Sequence, residues 1–122
     1  MKQRISKHFI ENEWACRCGC GQSIKQNDLI VAAEMIRDYL NKPIIVHCVN
    51  RCPTHNRRVG GVSNSQHVTG SAMDFHARGL PIKKLHEEMI RLYDEGVIRN
   101  LGLYDWGCHV DIRPDKHFWD NR

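Results

Sequence analysis

Apolar residues recur at helical spacing in two segments of the chain. In NDLIVAAEMIRDYL, residues 27–40, they return every three or four positions, which predicts an amphipathic helix with Asn27 as its N-cap. In LPIKKLHEEMIRLYDEG, residues 80–96, the same spacing predicts a second helix, with Pro81 at its start and Gly96 past its end. The side chains expected to face the core are Leu29, Ala33, Ile36, Leu40, Ile82, Leu85, Met89 and Leu92.

Four shorter segments have the character of β-strands. IIVHC (44–48) is β-branched and apolar, and GSAMDFHA (70–77) alternates between its two faces. LGLY (101–104) and CHVDI (108–112) follow the second helix. We therefore expect an α+β fold in which two helices pack on a small, mainly antiparallel sheet. A chain of 122 residues suits one such domain, covering 1–122.

A long polar loop, VNRCPTHNRRVGGVSNSQ (49–66), joins the first two strands, and loops of this length in small domains are often functional. It leads into His67, and Asp74 follows on the next strand. Zinc accepts both ligand types, and the small residues Gly70 and Ala72 leave room for the loop to fold back. Taken alone, this segment is equally well explained by a surface histidine and a strand aspartate that pairs with an arginine.

A second polar pair strengthens the metal interpretation. In GCHVDIRP, His109 and Asp111 alternate with apolar residues, so both point to one face of a strand. Polar groups on a central strand cost on the order of several kcal/mol if they lack partners. His67, Asp74 and His109 would supply three protein ligands and leave a fourth position for water, as catalytic zinc requires.

The six cysteines suggest a further site. Four lie in CRCGC and RCPTH, and in the absence of a recognisable secretion signal we expect reduced thiols or metal rather than disulfides. A structural zinc ion is predicted at Cys18, Cys20, Cys52 and His55. Free thiols and late-formed disulfides are the alternatives.

Charge and hydropathy restrict the partners. The formal net charge of +4 favours anionic partners such as cell-wall polymer or nucleic acid. Lys and Arg are not interleaved with aromatic residues, so nucleic acid is not expected. No segment has the length and hydropathy of a membrane span or signal peptide, which predicts synthesis in the cytoplasm and no membrane insertion. We expect a monomer.

The motifs resemble a known family. SQHVTGSAMD matches the S-x-H-x-x-G-x-A-x-D signature of the zinc D-alanyl-D-alanine peptidases, whose fold is shared with the hedgehog signalling domain. HVD, RCPTHNRRVGGVSNSQH and ENEWACRCGCG resemble the murein-endopeptidase branch of that family. The resemblance implies that His67, Asp74 and His109 are zinc ligands and that Arg51 holds a substrate carboxylate or carbonyl. The sequence departs from the family pattern directly before Arg51, where relatives often have Ser-Gly-Tyr and this chain has Cys-Val-Asn.

The general base is less well defined by the sequence. Some relatives carry an acid three positions before the last zinc histidine, where this chain has Trp106, and Asp105 lies one position further back. Asp111 is on the face of His109 and is the leading candidate for the base. Asp111 is also suited to orient a ligand histidine, or to be the third ligand with His109 as base.

The remaining histidines are expected to have ordinary roles. His47 lies in an apolar strand and is predicted to be a core residue with a hydrogen-bond partner. His8 and His86 are expected at the surface, and His117, in KHFW, is a candidate for a cleft wall.

Together these observations predict a zinc peptidase that cleaves an amide bond in peptidoglycan stem or cross-bridge peptides. Small size suggests a phage-lysin-like domain that is made in the cytoplasm and reaches the cell wall through a holin-type pore. One alternative is a non-catalytic zinc-binding module that holds a peptide or protein partner. The other is a zinc-knot protein that binds nucleic acid through its Cys-rich segments.

Overall fold

A computed structural model describes residues 3–122 as an α+β fold, as the sequence predicts. Within these residues, four α-helices and five strands follow one another. The helices are α1 (Glu11–Trp14), α2 (Asn27–Leu40), α3 (Pro53–Arg58) and α4 (Ile82–Asp94). The strands are β1 (Ile44–Cys48), β2 (Ala72–Ala77), β3 (Asn100–Tyr104), β4 (Gly107–Asp111) and β5 (His117–Asn121). A 3₁₀ helix, Gln66–Thr69, precedes β2.

The strands form one sheet in the order β1-β2-β4-β3-β5. Every neighbouring pair is antiparallel except β3 and β5, which are parallel. The two long helices, α2 and α4, contact this sheet. β5 was not predicted from the sequence, because none of its residues is fully buried and three of the five are exposed, so it lacks the alternation of a strand with one buried face.

Most of the apolar residues expected to face the core from the two long helices are buried. Two of them, Leu40 and Ile82, are only partly buried. Those in the core are Leu29, Ala33, Ile36, Leu85, Met89 and Leu92. α2 begins at Asn27 itself, with Gln26 before it and no side-chain cap, so the N-cap prediction is wrong by one residue. None of the helices in the described part of the chain has the length and apolar character needed to cross a membrane.

Two predictions about single histidines are wrong. His86 is buried, and its ring Nε2 lies 2.9 Å from the carbonyl oxygen of Tyr104 and 3.2 Å from that of Gly107. It therefore packs beneath the β3–β4 turn instead of lying at the surface. His47 is exposed on β1, with its Nε2 2.7 Å from Nδ1 of His76, because this edge of the sheet is open to solvent.

The segment before α2 adds to the core and is fastened to α2 by a carboxylate. Phe9 and Trp14 are buried in edge-to-face contact, with ring centroids 5.3 Å apart. Glu34 of α2 accepts hydrogen bonds from the Ser6 hydroxyl at 2.6 Å and from the His8 amide at 2.7 Å. Burial raises the pKa of Glu34, but these bonds and the His8 ring outweigh burial and lower it below 4.5.

Glu34→Gln should destabilise the protein by about 1 to 2 kcal/mol at neutral pH, since hydrogen bonds to a charged acceptor are lost. A carboxyl with a lowered folded-state pKa contributes stability above its unfolded value of 4.5, and the contribution fades as pH falls through the folded pKa. The difference between variant and wild type should therefore shrink in acid. Urea unfolding at several pH values measures it, with Glu87→Gln on the exposed face of α4 as the control. An equal effect of Glu34→Gln at all pH values would contradict the assignment.

Candidate metal centre

The sheet register brings two of the predicted ligands together. Asp74 on β2 is the direct cross-strand partner of His109 on β4. His67 comes from the 3₁₀ helix before β2 and is buried, with only 3% of its surface exposed. Its backbone carbonyl accepts a hydrogen bond from the amide of Arg51, which fixes the loop against this turn. The three predicted ligands therefore converge although they lie far apart in the sequence.

The distances among these side chains suit one small cation. Nδ1 of His109 lies 2.8 Å from Oδ1 of Asp74, and Nε2 of His67 lies 3.0 Å from Oδ2. One ligand atom from each of the three residues lies within 4.8 Å of the others. Nitrogen and oxygen ligands of a tetrahedral zinc ion stand about 3.3 Å apart. Although Nε2 of His67 lies close to Asp74, the contact lacks hydrogen-bond geometry, so this buried atom has no hydrogen-bond partner among the described residues and is available to a metal.

Contacts behind the centre determine which ring nitrogen faces it. Nδ1 of His67 lies 3.0 Å from the carbonyl oxygen of Val49, to which it donates, and this leaves Nε2 for a metal. Nε2 of His109 lies 2.9 Å from Oδ2 of Asp111, which leaves Nδ1 for a metal. Metal-bound histidines commonly donate their second ring N–H to a carbonyl or carboxylate in this way. Such contacts fix both the orientation and the tautomer of each ring.

The pKa shifts at the centre indicate an environment that favours positive charge on the imidazoles and negative charge on the carboxylate. Burial lowers the pKa of His67, but the Asp74 carboxylate and the Cys48 thiol outweigh burial and raise it to about 10. The pKa of His109 is also raised, since Asp111 and Asp74 outweigh burial. Burial would raise the pKa of Asp74, but both imidazoles hold it well below its usual range. A metal ion that displaces these ring protons meets an ionised carboxylate.

The centre lies in an open cleft that also contains Arg51. The cleft has a volume of about 500 Å³ and is lined by His67, Asp74, His109 and Arg51 together with glycine and aromatic residues. Nη1 of Arg51 donates to Oδ1 of Asn56 at 3.0 Å, which holds the guanidinium in place. The structure therefore brings the arginine and the three ligand candidates to one surface.

Aromatic side chains form the wall of the cleft. Tyr104 and Trp106 stack with ring centroids 4.7 Å apart, and the Trp119 indole N–H donates to the Tyr104 hydroxyl at 2.7 Å. Trp119 lies across Gly102, where a Cβ atom would come within 2.4 Å of the indole ring. Sequence reasoning missed Trp119 because β5 was not recognised. His117 was expected in this wall, but its Nδ1 instead forms a hydrogen bond with Oδ1 of Asn100 at 2.6 Å.

Asp111 lies behind His109 with its side chain fully buried. Its Oδ2 contacts Nε2 of His109 and Nη2 of Arg113, each at 2.9 Å, and its Oδ1 accepts from the Arg113 amide and Nε. Burial raises the pKa of Asp111, but these contacts outweigh burial and lower it to about 2. Asp105, the other acid considered, is exposed in the β3–β4 turn and does not line the cleft.

The cysteines gather in a second place. The sulfurs of Cys16, Cys18, Cys20 and Cys52 lie within 4.8 Å of one another. This cluster contains three members of the predicted set, Cys18, Cys20 and Cys52, with Cys16 in the place where His55 was expected. The backbone turn brings Cys16 back toward Cys52, whereas His55 contributes its backbone amide, which donates to the Cys52 sulfur at 3.3 Å.

The chain matches a model of a known protein family. A protein-family model described as Peptidase M15 matches residues 7–112, which include all three ligand candidates and Arg51. Neither a search of curated proteins nor a search of solved structures gave a match. The family match covers most of the sequence and extends from α1 to the end of the strand that carries His109. The chain therefore belongs to the Peptidase M15 family.

Proposed function

We propose that this chain is a zinc-dependent peptidase that hydrolyses an amide bond in the stem or cross-bridge peptides of peptidoglycan. The observation that carries the proposal is the convergence of Nε2 of His67, the Asp74 carboxylate and Nδ1 of His109 in an open cleft. Membership of a peptidase family supports hydrolysis of a peptide substrate. The net charge of +4 suits an anionic wall polymer.

The protein's own residues hold and orient the reacting groups. Zinc bound at the three residues supplies Lewis-acid chemistry toward a scissile carbonyl and an attacking water. The carbonyl of Val49 keeps His67 in the tautomer that presents Nε2, and Asp111 does the same for Nδ1 of His109. The aromatic wall lines one side of the cleft.

Arg51 is assigned to the substrate. Its guanidinium is held by Asn56 and lies on the same cleft as the ligand candidates. A fixed guanidinium binds carboxylates and polarised carbonyls strongly, because two N–H groups can donate together. Stem peptides offer both groups, so we assign Arg51 to hold a substrate carboxylate or carbonyl.

Asp111 is best suited to orient His109. Both of its oxygens are occupied by His109 and Arg113, and its pKa of about 2 makes it a weak acceptor for a proton at neutral pH. The alternative role, general base, requires the carboxylate to leave these contacts and turn toward the cleft. The two roles predict different kinetics.

A second candidate function is a non-catalytic zinc module that binds a peptide or protein partner. The observation in its favour is that both carboxylates of the centre are engaged, Asp74 between two imidazoles and Asp111, behind His109, with Arg113. The position three residues before His109 is Trp106, so that position offers no acid. Binding of zinc and of muropeptides without turnover would identify this function.

The proposed substrate also determines where the protein acts. Peptidoglycan lies outside the cytoplasm, so a chain made in the cytoplasm needs a route to it. We include in the proposal a phage-lysin-like release through a holin-type pore. We expect the chain to lyse the wall of the producing cell only when a pore-forming protein is co-expressed. Lysis without such a pore would argue against this route.

His67→Ala should remove stoichiometric zinc from this centre and abolish the hydrolysis of purified peptidoglycan, because one of three ligands is lost. Mass spectrometry of the released muropeptides, on protein of known zinc content, reports activity and the bond cleaved together. His117→Ala is the matched control, since this imidazole bonds Asn100 and does not line the cleft. Full lytic activity in His67→Ala would contradict the proposal.

Asp111→Asn should weaken zinc binding by roughly 10- to 100-fold and leave the shape of the pH–rate profile unchanged once zinc is saturating. This follows if Asp111 acts through His109. Loss of kcat by about 10²-fold or more at saturating zinc, with one limb of the profile removed, would instead make Asp111 the general base. Asp105→Asn, in the exposed turn, is the control and should behave as wild type.

Arg51→Ala should lower kcat/KM by about 10- to 100-fold, the value of a lost hydrogen bond between charged groups. Zinc content should not change, because Arg51 is not a ligand. Steady-state kinetics on a defined stem peptide measures the effect. Arg57→Ala, on the exposed side of α3, is the control. Wild-type kcat/KM in Arg51→Ala would remove this residue from substrate binding.

A further inference from the structure

Four cysteine sulfurs form a cluster separate from the metal centre in the cleft. Sγ of Cys18 lies 3.4 Å from Sγ of Cys16 and 3.6 Å from Sγ of Cys52, and Cys20 completes the group, with all four sulfurs within 4.8 Å of one another. The shortest of these separations is far longer than a disulfide bond, which measures about 2.05 Å. All four are free thiols.

These separations agree with a tetrahedral metal–thiolate site. Zinc binds cysteine sulfur at about 2.3 Å, so the sulfurs of a regular tetrahedron stand about 3.8 Å apart. The two shortest separations, 3.4 and 3.6 Å, are slightly below that value, and all four sulfurs lie within 4.8 Å of one another. Four sulfur ligands in tetrahedral arrangement are typical of a closed zinc site or an iron–sulfur site.

Backbone amides point at three of the sulfurs. The Cys52 amide donates to Sγ of Cys16 at 3.4 Å, the Gln22 amide to Sγ of Cys20 at 3.4 Å and the His55 amide to Sγ of Cys52 at 3.3 Å. Such bonds favour the charged form of an acceptor and so stabilise thiolates. Thiolates are the form in which cysteine binds metal.

The local backbone is folded to present the sulfurs on one side. Gly19 has a φ of +82°, a left-handed conformation that lets the chain reverse between Cys18 and Cys20. Its amide donates to the carbonyl of Cys16 at 3.3 Å, and the Cys16 amide donates to the carbonyl of Gln22 at 2.8 Å. The result is a tight loop in which cysteines at alternate positions face one point.

We propose that Cys16, Cys18, Cys20 and Cys52 bind one structural zinc ion in a closed four-thiolate site. The four sulfurs fill a tetrahedron and leave no position for water, so the site is structural and not catalytic. The ion joins the segment before α2 to the residue that follows Arg51. It thereby stabilises the start of the long loop without taking part in chemistry.

The test uses the 122-residue chain with His67→Ala, so that the cleft centre does not contribute to the measurement. The protein should retain one zinc ion per chain by elemental analysis. Replacing zinc with cobalt should give intense sulfur-to-cobalt charge-transfer absorption in the near ultraviolet, with the visible bands of tetrahedral cobalt. A mercurial reagent that titrates thiols should release the zinc.

Cys18→Ser in the same His67→Ala background should lose the zinc and the charge-transfer band. Cys18 is exposed, so this substitution leaves the core intact, and circular dichroism checks the fold. His55→Ala is the matched control, because a four-thiolate site predicts an unchanged cobalt spectrum. A changed spectrum in His55→Ala would overturn the four-cysteine ligand set.

Two further outcomes would overturn the proposal. One is metal-free protein whose intact mass under non-reducing conditions shows disulfides among these cysteines. The other is tightly bound iron in place of zinc. Neither outcome bears on the cleft, so the proposed peptidase activity is tested independently of this site.

Discussion

The antiparallel register between β2 and β4 is the constraint on which the metal centre depends. It sets Asp74 opposite His109, with 2.8 Å between carboxylate and imidazole. Because side chains alternate along a strand, a shift of one residue would turn one of these groups to the other face. His67 reaches the same point from the 3₁₀ helix, whose carbonyl also binds the amide of Arg51. One local turn therefore positions both a ligand candidate and the arginine.

Each of the two cleft histidines has one ring nitrogen held by a protein group on the side away from the cleft and one directed toward Asp74. The carbonyl of Val49 and the carboxylate of Asp111 occupy the rear nitrogens of the two histidines. The front nitrogens face Asp74, and Nε2 of His67 lies 3.0 Å from its carboxylate without forming a hydrogen bond to any of residues 3–122. Buried polar atoms left without partners are costly, so this arrangement is understandable as a preorganised cation site.

The sequence predicted the parts of the fold that depend on regular periodicity and short motifs. Both long helices and four strands were found, and the convergence of His67, Asp74 and His109 followed from two motifs. The short polar helix α3 and the largely exposed strand β5 lack an apolar pattern, so both elements, and with β5 the residue Trp119, were missed. The contacts of Asp111 and the inclusion of Cys16 in place of His55 depend on how loops fold back in space, which spacing alone does not determine.

Diffraction from zinc-loaded crystals, with anomalous differences measured at the zinc absorption edge, tests the central claim most directly. The account predicts an anomalous peak bound by Nε2 of His67, a carboxylate oxygen of Asp74 and Nδ1 of His109, with Asp111 still contacting Nε2 of His109. A peak on Nε2 of His109 with Asp111 as a ligand, or no peak in the cleft of zinc-saturated protein, would contradict it.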